Sequence, residues 1–333
     1  MKAIAMTSTQ KEAKLQEISL DLPYITDNQV LVKVESFGIN PLDVKRRKGR
    51  YPSKLPFVLG AEFCGVIVRA GRAVNRFSVG DSVIGITYGN CSNGAYAEYV
   101  SVSEDLVGKK APSLSSEECG AIPIAYLTAK KILGKSKGAH KIFLAGASGN
   151  VGRALLSLIH PDDFKKYLLV VKKTESKSQL LQEFPLDPIQ VIATESVSQE
   201  KFKEETFLFS QGNPFDCIID LVGQNLFQTA ISLCMIGGTV ISVVPEVENI
   251  RDEIFFKDLI VHHIFVGAES FSYRSQDRIK IGLALDEISF QIEKGHVKLS
   301  NPKVIKYQDT NDIDLVHKMI ESSSSYPKTV FKF

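Results

Sequence analysis

Two patterns of hydrophobic and polar positions divide the chain. In the first 120 residues, short runs alternate between apolar and polar positions and are separated by turn residues, which predicts β-strands. From Pro112 to about residue 267, short apolar runs alternate with longer amphipathic segments. This second pattern is typical of parallel strands that are connected by helices covering both faces of the sheet.

Individual elements follow from the same patterns. In the first part, strands are predicted at 30–35, 64–69, 82–87 and 95–100. Ser115 or Ser116 is expected to cap a helix whose first turn carries two glutamates. The second part predicts strands at 141–145, 167–171, 188–192, 217–221, 238–243 and 264–266. The remaining residues predict a helix at 277–293, a strand at 303–307, a helix at 311–321 and a strand at 328–332.

Small residues follow the strand predicted at 141–145. Gly146, Gly149 and Gly152 precede an amphipathic segment, and Ala147 takes the first glycine position of a G-x-G-x-x-G pattern. Small side chains allow a sharp turn, close approach of backbone N–H groups to a pyrophosphate, and tight packing of helix on strand. The helix N-terminus adds a partial positive charge. We therefore predict a dinucleotide site, lined also by backbone groups of Ser148, Asn150 and Val151.

Composition narrows the class of protein. A length of 333 residues fits two domains, and 44% hydrophobic with 23% charged residues is typical of a globular protein. The net charge of +2 gives no indication of a nucleic-acid surface. No signal-like or membrane-spanning apolar segment is present, so no membrane partner and a cytoplasmic location are expected. The five cysteines form no C-x-x-C motif and predict buried, reduced thiols.

Several segments, taken together, resemble the medium-chain dehydrogenase/reductase superfamily, specifically its zinc-free quinone oxidoreductase (zeta-crystallin-like) branch. The similar segments are G-I-N-P-L-D at 38–43, the L-P-x-x-x-G-x-E run from 55, R-F-S-V-G-D-S-V at 76–83, A-I-P-I-A-Y-L-T-A at 121–129 and F-D-C-I-I-D-L-V-G at 215–223. The resemblance implies an α/β fold in which a GroES-like β-rich catalytic domain contains an inserted Rossmann domain with a doubly wound parallel sheet. The expected bounds are 1–123 and 271–333 for the catalytic domain and 124–270 for the NADP-binding domain.

The resemblance also bears on metal binding. Zinc-dependent relatives carry a cysteine where this chain has Asn40 and a histidine where it has Ala61, and they have a four-cysteine lobe where it offers only Cys91. Tetrahedral zinc needs several cysteine or histidine ligands that converge. We therefore expect no metal and a metal-free reaction.

Active-site roles are implied for several residues by position. Asn40 is expected to hold a carbonyl oxygen or the nicotinamide ribose, although asparagine before proline is also a common turn residue. Asp43 is as consistent with a structural role as with a functional one. Tyr51 is expected either to donate a hydrogen bond to a carbonyl that gains negative charge or to pack in a loop. Thr128 is expected to contact the nicotinamide. Lys45 replaces a tyrosine of the relatives, which could favour an anionic or more polar acceptor.

The choice of cofactor is predicted from the end of the second nucleotide-domain strand. NAD-selective sites carry an acid there, whereas this chain continues into lysines and a serine that suit a 2′-phosphate. NADPH is therefore the expected cofactor. The predicted contacts at this turn are Lys172, Lys173, Ser176 and Lys177. At the ends of later strands they are Val222, Gly223, Val244 and Pro245.

The function expected from these features is hydride transfer from NADPH to a small quinone or α,β-unsaturated carbonyl. Two alternatives stay open: an enoyl-thioester reductase, for which the basic residues 45–50 could serve, and a non-catalytic NADPH-binding protein of zeta-crystallin type. The resemblance also implies a homodimer.

Overall fold

A computed structural model describes residues 1–8, 14–51, 54–88, 93–244, 251–322 and 326–333. The chain forms two compact units. The first contains Met1–Leu127 and Val266–Phe333, and the second contains Thr128–Phe265. In the part of the chain just defined, no helix is long and apolar enough to cross a bilayer.

Strands and helices are numbered along the chain. The strands are β1 (Lys2–Met6), β2 (Leu15–Ser19), β3 (Gln29–Gly38), β4 (Phe57–Val58), β5 (Glu62–Ala70), β6 (Ser82–Ile86), β7 (Tyr99–Ser103), β8 (Val107–Lys109), β9 (Ile142–Ala145), β10 (Tyr167–Val171), β11 (Val191–Ala193), β12 (Phe215–Asp220), β13 (Cys234–Ser242), β14 (Ile260–His263), β15 (Lys303–Lys306) and β16 (Thr329–Lys332). The helices are α1 (Pro41–Arg47), α2 (Ser116–Cys119), α3 (Pro123–Lys135), α4 (Asn150–Leu158), α5 (Thr174–Glu183), α6 (Gln199–Ser210), α7 (Gln224–Ser232), α8 (Arg251–Phe256), α9 (Ser275–Glu293) and α10 (Thr310–Ser322).

The first unit is built on β-sheets. Its main sheet has the strand order β15-β16-β3-β5-β6-β8, with β7 also paired to β3, and a smaller sheet has the order β2-β1-β4. Strand β3 pairs antiparallel with β16, β5 and β7, and most residues of β3 and the first four residues of β5 are buried. Segments from both ends of the sequence thus share one sheet, which is the GroES-like part of the expected fold.

The second unit is a parallel sheet with the order β11-β10-β9-β12-β13-β14. Numbered within the unit, this is the 3-2-1-4-5-6 order of the dinucleotide-binding Rossmann fold. Its core is aliphatic and aromatic, including Phe143, Leu168, Phe215 and Val240. The α/β class with a GroES-like domain and a Rossmann sheet is therefore confirmed. The order of strands reverses between β9 and β12, which is where such sheets bind ligands.

Three strand predictions are wrong in position. The alternating residues 95–98 contribute only a bridge from Ala97 to Ala3, and the strand begins at Tyr99. Pro188–Gln190 forms a 3₁₀ turn because Asp187 caps it and proline lacks an N–H for the ladder, so β11 starts later. The last strand of the parallel sheet is β14 at Ile260–His263, not 264–266. The predicted capped helix is confirmed, since Ser115 Oγ accepts from Glu118 N at 3.2 Å.

Candidate functional site

The glycine-rich turn connects β9 to α4. Gly146 has a φ of +84°, and its N–H donates to Val170 O at 2.9 Å, so the chain leaves β9 beside β10. Gly149 is the N-cap residue of α4 and supplies no side-chain cap. The first N–H groups of a helix have no intrahelical acceptor, so a ligand at this end can accept from them.

Two glycines in this turn have no space for a side chain. A Cβ on Gly152 would lie under 3.0 Å from Ala147 O, and a Cβ on Gly146 would lie 2.8 Å from Val222 Cγ2. The turn is also held from outside, because Arg153 Nε donates to Ser148 O at 3.1 Å and its guanidinium pairs with Glu183. The backbone therefore fits the close approach that a pyrophosphate requires.

The ends of β12 and β13 lie beside this turn. Val222 packs near Gly146, and a Cβ on Gly223 would lie 3.1 Å from Val244 Cγ1. Asp220 Oδ1 accepts from Val222 N at 3.0 Å and from Gly223 N at 2.8 Å, and burial raises the pKa of this carboxyl. The predicted residues Val222, Gly223 and Val244 are therefore brought together with the turn, while Pro245 lies outside the described residues. Ser148, Asn150 and Val151 are half-buried in the same turn, and Ala147 is buried.

The predicted phosphate-recognition turn follows β10. Lys172 and Lys173 are exposed, Lys177 is half-buried, and Ser176 is buried, with 6% of its surface exposed. An acid that the sequence analysis missed also reaches this turn: Glu195 Oε1 accepts from Thr174 N at 2.8 Å, and Glu195 N donates to Lys172 O at 3.0 Å. Glu175, in the first turn of α5, is exposed as well, so the local charge at this turn is three lysines and two carboxylates.

In the first unit, Asn40 belongs to a buried charged network. Asn40 is 5% exposed, its Oδ1 accepts from Lys328 Nζ at 2.8 Å, and its Nδ2 donates to Glu62 Oε1 at 2.8 Å. Lys328 Nζ also donates to Glu62 Oε1 and to Ile39 O, and Glu62 Oε2 accepts from Ile124 N at 2.7 Å. The carboxamide of Asn40 is thus fixed in one orientation by an ion pair behind it.

Asp43 belongs to a second buried network, at the start of α1. Its carboxylate accepts from Asn40 N at 3.0 Å and Gly60 N at 3.3 Å, and it hydrogen-bonds the Tyr96 hydroxyl. Tyr96 Oη lies 3.3 Å from His317 Nε2. Burial raises the pKa of Asp43 to about 6, opposed by the hydrogen bond from Asn40 N and by the charges of Arg46 and Lys328. Burial lowers the pKa of His317 to about 3. This arrangement fixes the entry into α1 and indicates a structural role for Asp43.

Tyr51 lies near two residues that were not predicted. It is 36% exposed, and its phenol interacts electrostatically with that of Tyr88, which is buried at the end of β6. The guanidinium carbon of Arg46 lies 5.4 Å from the Tyr88 ring centroid. An aromatic, cationic surface therefore adjoins Tyr51. Thr128 lies in α3 and is buried.

Three positions correspond to zinc ligands in the zinc-dependent relatives. Asn40 and Ala61 are buried in the first unit, and Cys91 lies outside the described residues. Within the described ranges, no group of three or more histidine, cysteine, aspartate or glutamate side chains is placed to hold a metal ion.

Some of the buried residues that the sequence analysis missed do have a recognisable signal in the sequence. Glu62 is a charged residue within an apolar strand, and His317 shares a helix face with Ile313 and Val316, so both positions indicate buried polar groups that need partners. The partners, Lys328 and Tyr96, are distant in sequence, and no local pattern points to them.

Comparison with known proteins extends this description. Residues 26–112 match the family model described as "Alcohol dehydrogenase GroES-like domain". The chain is 31% identical over 235 residues to a 2-methylene-furan-3-one reductase of Solanum lycopersicum, covering 68% of this chain and 57% of that protein. It is 34% identical over 156 residues to a chloroplastic quinone-oxidoreductase homolog of Spinacia oleracea, covering 43% and 47%. The matches thus span about half the length of these two relatives.

Other similarities cover whole chains at lower identity. A "zinc-type alcohol dehydrogenase-like protein" of Staphylococcus epidermidis is 26% identical over 345 residues, covering 99% of both proteins. The structure of Escherichia coli quinone oxidoreductase complexed with NADPH superposes with a TM-score of 0.83 at 20% identity, covering 100% of both chains. This last similarity is one of fold.

Proposed function

The chain belongs to the medium-chain dehydrogenase/reductase superfamily, in its quinone oxidoreductase branch, and from this we propose that it is a zinc-independent, NADPH-dependent reductase of quinones or α,β-unsaturated carbonyls. The observation that carries the proposal is the turn after β9, where a Cβ on Gly152 would meet the backbone of Ala147. Only such a close backbone leaves room for a dinucleotide pyrophosphate at the N-terminus of α4. Bound NADPH would supply hydride to the acceptor.

The acceptor-side residues have separate tasks in this proposal. Tyr51 is partly exposed and donates a hydrogen bond to the acceptor oxygen as that oxygen gains negative charge. Asn40 keeps one amide hydrogen beyond the one given to Glu62, and Lys328 fixes its carboxamide from the other side. A donor held in place before the reaction loses little entropy when the acceptor binds.

The preference for NADPH is supported by Lys172 and Lys173 and opposed by Glu195. The two ammonium groups are exposed, so they can move to a 2′-phosphate, while Glu195 is occupied by Thr174 N. We propose that the lysines dominate because a phosphate carries nearly two negative charges. The absence of zinc is proposed from Asn40 and Ala61 standing in place of ligands, although a zinc-type relative matches along its whole length. The homodimer and the cytoplasmic location stay predictions.

The test is an acceptor panel assayed by NADPH oxidation, with quinones, enones and enoyl thioesters, together with elemental analysis for zinc. Tyr51→Phe should lower turnover of the best enone by about 10- to 1000-fold with little change in NADPH affinity. Tyr24→Phe, at an exposed position of the same unit, is the matched control and should be unaffected.

Each alternative has its own result. Turnover of enoyl thioesters alone would indicate the thioester reductase. Tight NADPH binding without turnover of any acceptor would indicate the non-catalytic binding protein. One zinc per chain, with activity lost to a chelator, would reject the zinc-independent reaction.

A further inference from the structure

Arg46 has surroundings that differ from those of its basic neighbours on α1. Arg47 pairs with Asp314 at 2.7 Å and Lys48 with Glu321 at 3.3 Å, so both charges are used between α1 and α10. Arg46 is half-buried on the side of the helix that faces Phe57 and Tyr88, with its guanidinium carbon 5.7 and 5.4 Å from the two ring centroids. It is held by aromatic faces rather than by an acid.

Asp43, which acts on Arg46 electrostatically, does not satisfy its hydrogen-bond donors. In the ranges that the structure describes, no carboxylate oxygen lies within 4.0 Å of the guanidinium, and no hydrogen bond from its side chain is found. Asp43 acts on it only through space, because its carboxylate is occupied by Asn40 N, Gly60 N and the Tyr96 hydroxyl. A partly desolvated guanidinium presents five N–H donors in a plane, and it needs acceptors to offset the loss of water.

Arg46 also adjoins the residue proposed to bind the acceptor oxygen. The guanidinium carbon of Arg46 lies 5.4 Å from the Tyr88 ring centroid, and the Tyr51 phenol also interacts electrostatically with Tyr88, so both side chains lie near Tyr88 in the first unit. Burial holds the pKa of Tyr88 above its usual range, so this phenol stays neutral and adds no negative charge. The half-buried cation of Arg46 and the exposed side chain of Tyr51 are therefore both close to Tyr88.

We propose that Arg46 is a specificity-determining residue that binds a carboxylate of the hydride acceptor, so that the protein prefers enones or quinones carrying an anionic group over neutral ones. The inference rests on the proposed function, because it names the substrate class of the same site. The guanidinium fork matches a carboxylate through two parallel hydrogen bonds, and the Phe57 and Tyr88 rings keep its plane in place for them.

The experiment compares two acceptors, the anionic 3-benzoylacrylate and its neutral methyl ester, and because their intrinsic reactivities differ, only the change in their ratio between protein variants is interpreted. The ratio of their kcat/KM values is measured for the parent protein, Arg46→Gln, Arg46→Lys and Lys48→Gln. Arg46→Gln should lower the acid-to-ester ratio at least tenfold, mainly through KM of the acid, and Arg46→Lys should lower it less because it keeps the charge without the fork. Lys48→Gln removes the same charge two residues away and should change the ratio less than twofold.

A binding measurement separates this inference from the proposed function. Titration calorimetry without NADPH follows 3-benzoylpropionate, which lacks the conjugated C=C bond of the acceptor, with the parent protein and with Arg46→Gln. If no acceptor is reduced, the proposed function fails, and loss of this binding in Arg46→Gln still supports the anion site. An unchanged acid-to-ester ratio, or equal binding of 3-benzoylpropionate to both proteins, would overturn the inference. If Arg46→Gln does not fold, the same comparisons with Arg46→Lys decide.

Discussion

Removal of the buried ammonium of Lys328 should destabilise the β-rich unit strongly. Lys328 is 7% exposed and Glu62 is fully buried, so Lys328→Met leaves a carboxylate in the core without its cation. The change also removes a donor from Ile39 O and from Asn40 Oδ1. A buried charge without a partner is not solvated, and protonating it costs free energy. The loss of folding free energy should therefore exceed that from removing any surface ion pair.

The magnitude follows from what remains around Glu62. Asn40 Nδ2 and Ile124 N still donate to the carboxylate, which offsets part of the cost. Breaking a buried pair costs about 3–5 kcal/mol, so the remaining donors favour the lower half of that range. Replacing both charges in Glu62→Gln/Lys328→Met should recover about 2 kcal/mol, because no unpaired charge is then buried.

Urea unfolding followed by far-ultraviolet circular dichroism measures the effect, since the chain contains no tryptophan. With a slope of about 1–3 kcal/mol/M, Lys328→Met should lower the midpoint by about 1 M or more. Lys2→Met is the matched control: its pair with Glu17 lies at the surface of the same unit, with Lys2 64% exposed, and should change stability by under about 1 kcal/mol. Equal midpoints for Lys328→Met and Lys2→Met, or a double variant less stable than Lys328→Met, would refute this account of the ion pair.

Three further outcomes are expected. Gly152→Ala should abolish NADPH binding while leaving the first unit folded, because the added Cβ would meet Ala147 O. Dissociation constants measured by calorimetry check this, and retained binding would contradict the proposed pyrophosphate site at the glycine-rich turn. Lys173→Glu should remove a preference for NADPH over NADH of about a hundredfold, and equal affinities in the parent protein would show that no such preference exists. Burial raises the pKa of Asp43 to about 6, so the contribution of Asp43 to stability falls as the pH rises from about 4 to 6. Burial lowers the pKa of His317 to about 3, so the contribution of His317 falls as the pH drops below about 6.5. Asp43→Asn should therefore make the stability fall more steeply in acid, and His317→Gln should make the stability rise in acid instead. If the urea midpoints of both variants and the parent protein change in parallel between pH 4.5 and 7.5, neither group causes the pH dependence.

The parallel-sheet unit could be predicted well from the sequence because its signals are local. β10 lies at the predicted residues 167–171, and the glycine turn follows β9 as expected, since an apolar run and the small residues after it act over a few positions. The misplaced last strand has a physical reason. β14 lies at the edge of the sheet, and two histidines among its four residues make it less apolar than the segment that follows.

The surroundings of the candidate active-site residues in the first unit could be predicted only in part. Asn40, Asp43 and Tyr51 were named from position, but what surrounds them depends on pairs that no local pattern contains. Glu62 and Lys328 are separated by 266 residues, and the partner of Asp43 in the core is a tyrosine hydroxyl on another segment. Long-range burial decides the chemistry there, and the local patterns of a single sequence do not reveal which distant residues meet.

The position of Lys328 has a consequence for biosynthesis. Strand β3 pairs with β16 along one edge, and Glu62 forms its ion pair with Lys328. Both β16 and Lys328 leave the ribosome only after the whole parallel-sheet unit has been synthesised. At about 5–20 residues per second, the 266 residues between the two charges take roughly 13–50 s to synthesise. During that interval the N-terminal part of the first unit exposes an open edge of β3 and an unpaired Glu62, while the parallel-sheet unit can already fold. Nascent chains should therefore depend on chaperones at this stage, and a chain cut short before residue 328 should be degraded rather than accumulate as a folded fragment.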